Sequence, residues 1–277
     1  MTRVDAHPPE LSDIDVVILA GGLGTRLREE TNIRPKPMVE IGGKPMLWHI
    51  MNIYAAFDIR NFIICLGYKG DVIRDYFLNY RYHTADVAVD LATNSVEILN
   101  NSGSENWRIT LAETGAASNT GARIRQAVKY TRNRTFMATY GDGVADLDLA
   151  KLYESHLQAA RRATVTAVHP EARFGEIAVS GDTVTSFIEK PQTAKGWING
   201  GFFVFDRSIF EAAPEDPGLS LEHDLLTGLA KNDDLSAYMH KGFWQCVDTQ
   251  REMTLLNDMW QAGRAPWLIG HGGRPID

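Results

Sequence analysis

Cysteine is scarce in this chain: there are two in 277 residues, Cys65 and Cys246, each inside an apolar stretch and neither in a CxxC pair. That excludes a disulfide framework and a cysteine-rich zinc site, and both read as small hydrophobes of a reducing compartment. Long hydrophobic runs are also missing. No stretch approaches the length needed to span a bilayer, and residues 1–14, MTRVDAHPPELSDI, lack the apolar segment of a secretion signal, so a cytoplasmic protein with no membrane partner is expected. Basic clustering is absent too. Lysine plus arginine total 28 against 35 acidic residues, a formal net charge of −7 at pH 7, which argues against a nucleic-acid partner. The eight histidines show no metal-ligand spacing, and His49, within a predicted helix, reads as a core or boundary histidine.

What is present is an ordinary globular composition, 44% hydrophobic and 23% charged, on a chain long enough for one sizeable core. DVVILA (15–20) predicts a buried strand ending in glycines, PMLWHIMNIYAAF (45–57) a helix, and FIICLG (62–67) another buried strand. A helix is expected over 69–80, then strand-like pieces at 86–91, 95–99 and 107–113 as an irregular or antiparallel insert. From 120 the alternation resumes: helix, strand (135–141), helix (148–161), strand (163–170). EIAVSGDTVTSFIEKP (176–191) predicts a hairpin and 197–206 a further strand. A helix near 221–231, the strand-like AYMHKGFWQCVDT and a closing helix from about 249 to 262 complete the chain. The sum is an α/β fold: a Rossmann-like, doubly wound, mostly parallel mixed sheet with a small β-rich insert. One domain is expected over 15–267, between a flexible N-terminal extension (1–14) and a flexible tail (268–277).

The first strand opens onto GGLGTRL, where Gly21, Gly22 and Gly24 allow a tight turn and bring backbone N–H groups close to an anion. The run fails the GxGxxG pattern because position 27 is leucine, and no GxxxxGK[ST] occurs in the chain. Arg26 follows the glycines directly. Lys36 lies between Pro35 and Pro37, and because proline disfavours helical backbone in the residue before it, this segment is expected to run extended. A candidate phosphate-binding segment therefore comprises Leu19, Ala20, Gly21, Gly22, Leu23, Gly24, Thr25, Arg26, Leu27 and Lys36.

Asp142, in TYGDG between Gly141 and Gly143, stands at the carboxyl end of a predicted strand, where open α/β sheets place ligands. Asp248, in QCVDT, ends another apolar run. Each has a local alternative: an Asx turn for Asp142 and a helix N-cap for Asp248. Ser118 and Arg123 flank the start of the helix at 120, whose free N–H groups favour an anion, with a helix cap at Ser118 or Thr120 and a solvated Arg123 as the alternative. Glu189 and Lys190, with Asn199 and Gly200 just beyond, supply an acceptor, a cation and amides.

The segment LAGGLGTRLREETNIRPKPMVEIGGKPMLWHI resembles the signature of the sugar-1-phosphate nucleotidyltransferases, and Glu29, Glu30 and Thr31 followed by PKPMVEIGGKP resemble its glucose-1-phosphate cytidylyltransferase branch. ARFGEI, EKP, INGGFFV, GFWQ, VDT and RAPW extend the likeness from about Asp15 to Trp267. The resemblance implies transfer of a cytidylyl group from CTP to α-D-glucose 1-phosphate, giving CDP-glucose and pyrophosphate by in-line attack with Mg²⁺. It implies Asp142 and Asp248 as metal ligands, and Arg26, Lys36 and Lys190 as catalytic cations. Ser118, Arg123 and Gly141 would meet the nucleotide, and Glu189, Lys190, Asn199 and Gly200 the sugar phosphate. It also implies a homo-oligomer, with the Tyr80, Tyr82 and Trp107 region a candidate contact. UTP, dTTP or another sugar 1-phosphate stay open, as does a non-catalytic nucleotide-sugar binding protein. Retention of Arg26, Lys36, Asp142, Lys190 and Asp248 argues against the last.

Overall fold

The structure, a computed structural model, describes residues 8–22, 28–100, 105–170, 176–180, 183–188 and 196–268. In chain order the strands are β1 (Asp15–Leu19), β2 (Glu40–Ile41), β3 (Lys44–Pro45), β4 (Asn61–Leu66), β5 (Val87–Asp90), β6 (Ser95–Ile98), β7 (Arg108–Glu113) and β8 (Thr135–Tyr140). Then come β9 (Gly143–Ala145), β10 (Ala163–Val168), β11 (Glu176–Ser180), β12 (Thr183–Ile188), β13 (Ile198–Asp206), β14 (Leu235–Met239) and β15 (Trp244–Cys246). Seven of them form one sheet in the order β14-β10-β13-β8-β1-β4-β7. The pairs β1–β4, β1–β8, β4–β7 and β10–β14 are parallel, whereas β13 is antiparallel to both β8 and β10. This is the expected doubly wound, mostly parallel mixed sheet.

Alternation along β1 shows why both faces are covered. Val16 and Ile18 pack on one face with Leu47 and Ile50 of the helix Met46–Ala55 and Leu152 of the helix Leu149–Ala159. Val17 and Leu19 point to the other face and join Ile124 and Ala127 of the helix Thr120–Ala127 with Phe210 and Leu229. A strand buried on both sides reads as a continuous apolar run, as DVVIL does. From β1 the chain builds outward through β4 to β7, then returns to place β8 on the opposite side of β1. The order therefore reverses between β1 and β8, and the crevice at their carboxyl ends is where such sheets take ligands.

Two expectations need correction. Strand 107–113 is not part of the insert: β7 is the parallel edge of the main sheet, paired with β4 from Asn61↔Arg108 to Leu66↔Glu113. Its period-2 pattern fits any half-covered strand, and the sheet it joins is set by the register with β4. Among the described residues the insert is the β5–β6 hairpin. The lead segment is also shorter than 1–14. Ile14 is fully buried, Leu11 packs on the core, and Tyr153 donates to the Pro9 carbonyl at 2.8 Å. At the other end, Trp267 and Leu268 are buried, and the rest of the expected tail lies outside the described residues. No helix among the described residues is long and apolar enough to cross a membrane.

Candidate active site

Three residues far apart in sequence meet at the β1/β8 crevice. The Lys36 ammonium donates to Asp142 Oδ2 at 2.5 Å and to Asp248 Oδ1 at 2.6 Å. Burial alone would lower the lysine's pKa, but the charges and hydrogen bonds of the two aspartates outweigh it and hold the pKa above its ordinary value, so Lys36 stays an ammonium at neutral pH.

Local structure accounts for each member. Asp142 follows β8 after Gly141, and Asp248 lies just past β15. The short pair β9–β15 brings them together, with Cys246 opposite Gly143 and Val247 N–H donating to the Asp142 carbonyl at 2.9 Å. Asp248 is not a helix cap. Thr249 caps the helix Gln250–Gln261, in a capping box with Glu252, whose carboxylate also accepts from the Asp248 N–H at 2.6 Å. Lys36 does not run extended. It begins a single 3-10 turn, Lys36–Met38, closed by Met38 N–H to the Pro35 carbonyl at 2.8 Å and Val39 N–H to the Lys36 carbonyl at 3.1 Å. Pro37 sits where such a turn needs no N–H, so the proline costs it nothing. Gly141 lets that turn dock, since a Cβ there would lie 2.7 Å from the Leu19 carbonyl and 2.8 Å from Pro37 Cγ.

Two cavities flank the triad. One of about 270 Å³ runs along the carboxyl end of β1 to the start of the helix at Thr120, and is lined by Leu19, Gly21, Gly22, Lys36, Ser118, Arg123, Gly141 and Asp142 among others. The second, of about 170 Å³, lies on the far side of Asp142 between Gly143, Gly200, Trp244, Cys246 and Asp248. Tyr140 and Asp142 line both. Cys246 is thus half-buried in a cavity wall rather than a core residue.

Among the sequence-predicted residues, Leu19, Gly21, Gly22, Lys36, Ser118, Arg123 and Gly141 all line the first cavity. Ala20 does not; it is buried, and its N–H donates to the Cys65 carbonyl at 3.2 Å. Arg123 is not solvated. Its guanidinium is buried and donates to the Leu66 carbonyl at 3.0 Å, Thr114 Oγ1 at 2.8 Å, the Gly21 carbonyl at 3.1 Å and the Ala116 carbonyl at 3.3 Å. A Cβ at Gly21 or Gly67 would collide with that guanidinium, so the glycines make room for arginine as well as for backbone turning. The helix cap is Asn119, not Ser118 or Thr120. Gly200 lines the second cavity, and a Cβ there would lie 2.7 Å from Val168 Cγ1, which makes glycine a packing requirement. Leu23, Gly24, Thr25, Arg26, Leu27, Glu189 and Lys190 lie outside the described residues.

The nucleotidyl transferase family model matches residues 15–257. The glucose-1-phosphate cytidylyltransferase of Salmonella typhi is 47% identical over 91% of this chain and 97% of its own length. The probable glucose-1-phosphate cytidylyltransferase of Bacillus subtilis is 42% identical over 91% of this chain and 98% of its own. The crystal structure of HddC from Yersinia pseudotuberculosis superposes with a TM-score of 0.64 at 27% identity, covering 89% of this chain and 99% of that one. The chain belongs to the nucleotidyl transferase family.

Sequence reasoning missed two groups of this nucleotidyltransferase, Tyr140 and Glu222. The Tyr140 phenol donates to Glu222 Oε1 at 2.6 Å and accepts from Asn199 Nδ2 at 3.1 Å. Glu222 Oε2 accepts from Thr120 Oγ1 at 2.7 Å and Ser220 Oγ at 3.1 Å. Burial would raise the carboxyl's pKa, but the hydrogen bonds from Tyr140, Thr120 and Ser220 outweigh it and hold Glu222 below the usual carboxylate range. Burial and then the bond to Glu222 push the Tyr140 phenol far up. Glu222 lies in a π-helical turn, Leu221–Leu226, a conformation often found at functional sites. Its sequence, LEHDLL, carries no sign of this.

Proposed function

We propose that the chain transfers the cytidylyl group of CTP to α-D-glucose 1-phosphate, releasing pyrophosphate and forming CDP-glucose. A phosphate oxygen of the sugar attacks the α-phosphorus in line, the bond from that phosphorus to the β-phosphate bridging oxygen breaks, and pyrophosphate leaves with the electron pair. The sugar phosphate is already an anionic nucleophile, so no base or side-chain nucleophile is required. What remains for the protein is alignment and neutralisation of charge.

One observation carries the reading: two carboxylates and a lysine converge at the strand-order reversal, between a cavity ending at a helix N-terminus and a second cavity beyond Asp142. Mg²⁺ suits the carboxylates, since both aspartates already share one cation and offer only hard oxygen donors. Asp142 and Asp248 would hold the ion, which when bound supplies Lewis-acid charge neutralisation at phosphate oxygens. Lys36, kept charged by the aspartates, neutralises phosphate charge from the β1 side, and we assign Arg26 the same task on the departing pyrophosphate. Ser118, Gly141 and the start of the helix at Thr120 would border the nucleotide. Arg123 acts by fixing the loops that form this wall. Asn199 would hold the sugar phosphate on the other side, and we assign Glu189 and Lys190 to the sugar phosphate as well.

CTP and glucose are favoured by the relatives, two of which are named for that reaction and align over nearly their whole length. Free thiols at Cys65 and Cys246 and charged small-molecule substrates fit the cytoplasm. A homo-oligomer is the proposed assembly. Trp107 and Tyr80 are spent in internal packing, against Phe62 and Tyr76, so its support is the exposed apolar set on and beside the β5–β6 hairpin: Val89, Leu91, Val96 and Leu99, 47% to 88% exposed.

The test is pyrophosphate release from glucose 1-phosphate with CTP, UTP, dTTP, ATP or GTP in turn, with and without Mg²⁺. Release with CTP and Mg²⁺ well above every other pairing is expected. No release with any pair would overturn the enzyme assignment, and a preference for another base would overturn the choice of CTP.

A further inference from the structure

Resting on the cytidylyl-transfer reading, we propose that Glu222 and Tyr140 are positioning residues that fix Asn199 for the sugar phosphate. The phenol has one proton. Glu222, held as a carboxylate, can only accept, so that proton goes to Glu222 Oε1 and the phenol oxygen is left as an acceptor. Asn199 must therefore present its N–H₂ to Tyr140, and it does so at 3.1 Å while its Oδ1 accepts from the Gly201 N–H at 2.8 Å. Both ends of the amide are pinned in one sense, and a second N–H remains for a sugar hydroxyl.

The same carboxylate reaches the nucleotide side. Glu222 Oε2 takes the Thr120 hydroxyl, whose oxygen in turn accepts from the Leu221 N–H at 3.0 Å, and Thr120 opens the helix that lines the first cavity. One chain of hydrogen bonds thus runs from the helix start through Glu222 and Tyr140 to Asn199. Tyr140 lines both cavities. Gly201 accommodates it: φ there is +81°, and a Cβ would lie 2.5 Å from Tyr140 Cδ2.

Tyr140→Phe keeps the ring and removes only the hydroxyl, so it isolates the relay from packing. KM for glucose 1-phosphate is expected to rise about tenfold or more while KM for CTP stays within about threefold, on the scale of one lost hydrogen bond to a charged group. Glu222→Ala should raise KM for glucose 1-phosphate likewise, Glu222→Gln should recover most of it, and Tyr140→Phe with Glu222→Ala should raise that KM no more than the poorer single variant. A role in folding alone would instead lower the melting temperature and leave both KM values of the folded enzyme unchanged. A folded Tyr140→Phe with KM for glucose 1-phosphate within about twofold of wild type overturns the proposal. Calorimetric titration of glucose 1-phosphate separates the two readings. If the wild type turns over no pair, the cytidylyl reading fails; if the wild type binds no glucose 1-phosphate, or Tyr140→Phe binds it as tightly as wild type, the positioning reading fails.

Discussion

At Asp142 and Asp248 two carboxylates share one ammonium, and the three side chains are only 13–31% exposed. Electrostatics at such a site is strong because little water screens it. Asp142→Asn removes a charge and, on the proposed reading, a metal ligand, but no core volume. It is expected to lower kcat at least about a hundredfold, in the range of losing one preorganised charge-stabilising group, while the melting temperature moves by only a few degrees. Steady-state kinetics beside a thermal melt checks this; near-normal turnover would remove Asp142 from the metal site. That Asp142 and Asp248 stand just past strands was legible in the sequence, because TYGDG and VDT both end apolar strand-like runs. That they face one lysine was not, since the contact spans 106 and 212 residues. Glu222 was not legible either, because an acidic residue in an amphipathic helix ordinarily faces water.

Among the elements, the βα alternation of the main sheet followed from periodicity, and strands β1, β4, β8, β10 and β13 lie where their apolar runs place them. What failed were short or context-dependent pieces. Strand β9 is three residues long, too short for any pattern, yet its pairing with β15 brings the aspartates together. The 3-10 turn at Lys36 escaped because the extended bias of a residue before proline is a preference that a single 3-10 turn can override. Arg123, on the helix Thr120–Ala127, ties together the segments after β1, β4 and β7 through Gly21, Leu66, Thr114 and Ala116. Arg123→Ala would strand these acceptors in a buried site and is expected to cost about 3 kcal/mol or more. Arg123→Lys should recover little, because an ammonium cannot span four divergent acceptors. Urea unfolding of both variants measures the cost, and a loss below about 1 kcal/mol would show that the arginine does not hold these loops.

For the whole molecule, pH reports on how the C-terminal segment is fastened. His49 Nε2 donates to the Ile41 carbonyl at 2.8 Å, and its Nδ1 accepts from Trp267 Nε1 at 3.2 Å. Only neutral imidazole satisfies both, and burial pushes its pKa down to about 4. A depressed histidine pKa means the stabilisation is present above the unfolded value of about 6.5 and is lost as pH falls from there toward 4, on the order of 3 kcal/mol. The drop in denaturant midpoint from pH 7 to 4.5 should therefore be smaller for His49→Gln than for wild type. Equal drops would contradict this. The fold and family place the chain among nucleotidyltransferases, and the choice of CTP is the part of the proposed function left to measurement. The most direct test offers glucose 1-phosphate and Mg²⁺ with CTP, UTP, dTTP, ATP and GTP at equal concentration and identifies the nucleotide sugars by mass. CDP-glucose as the dominant product is expected; another nucleotide sugar in excess, or none, would contradict cytidylyl transfer.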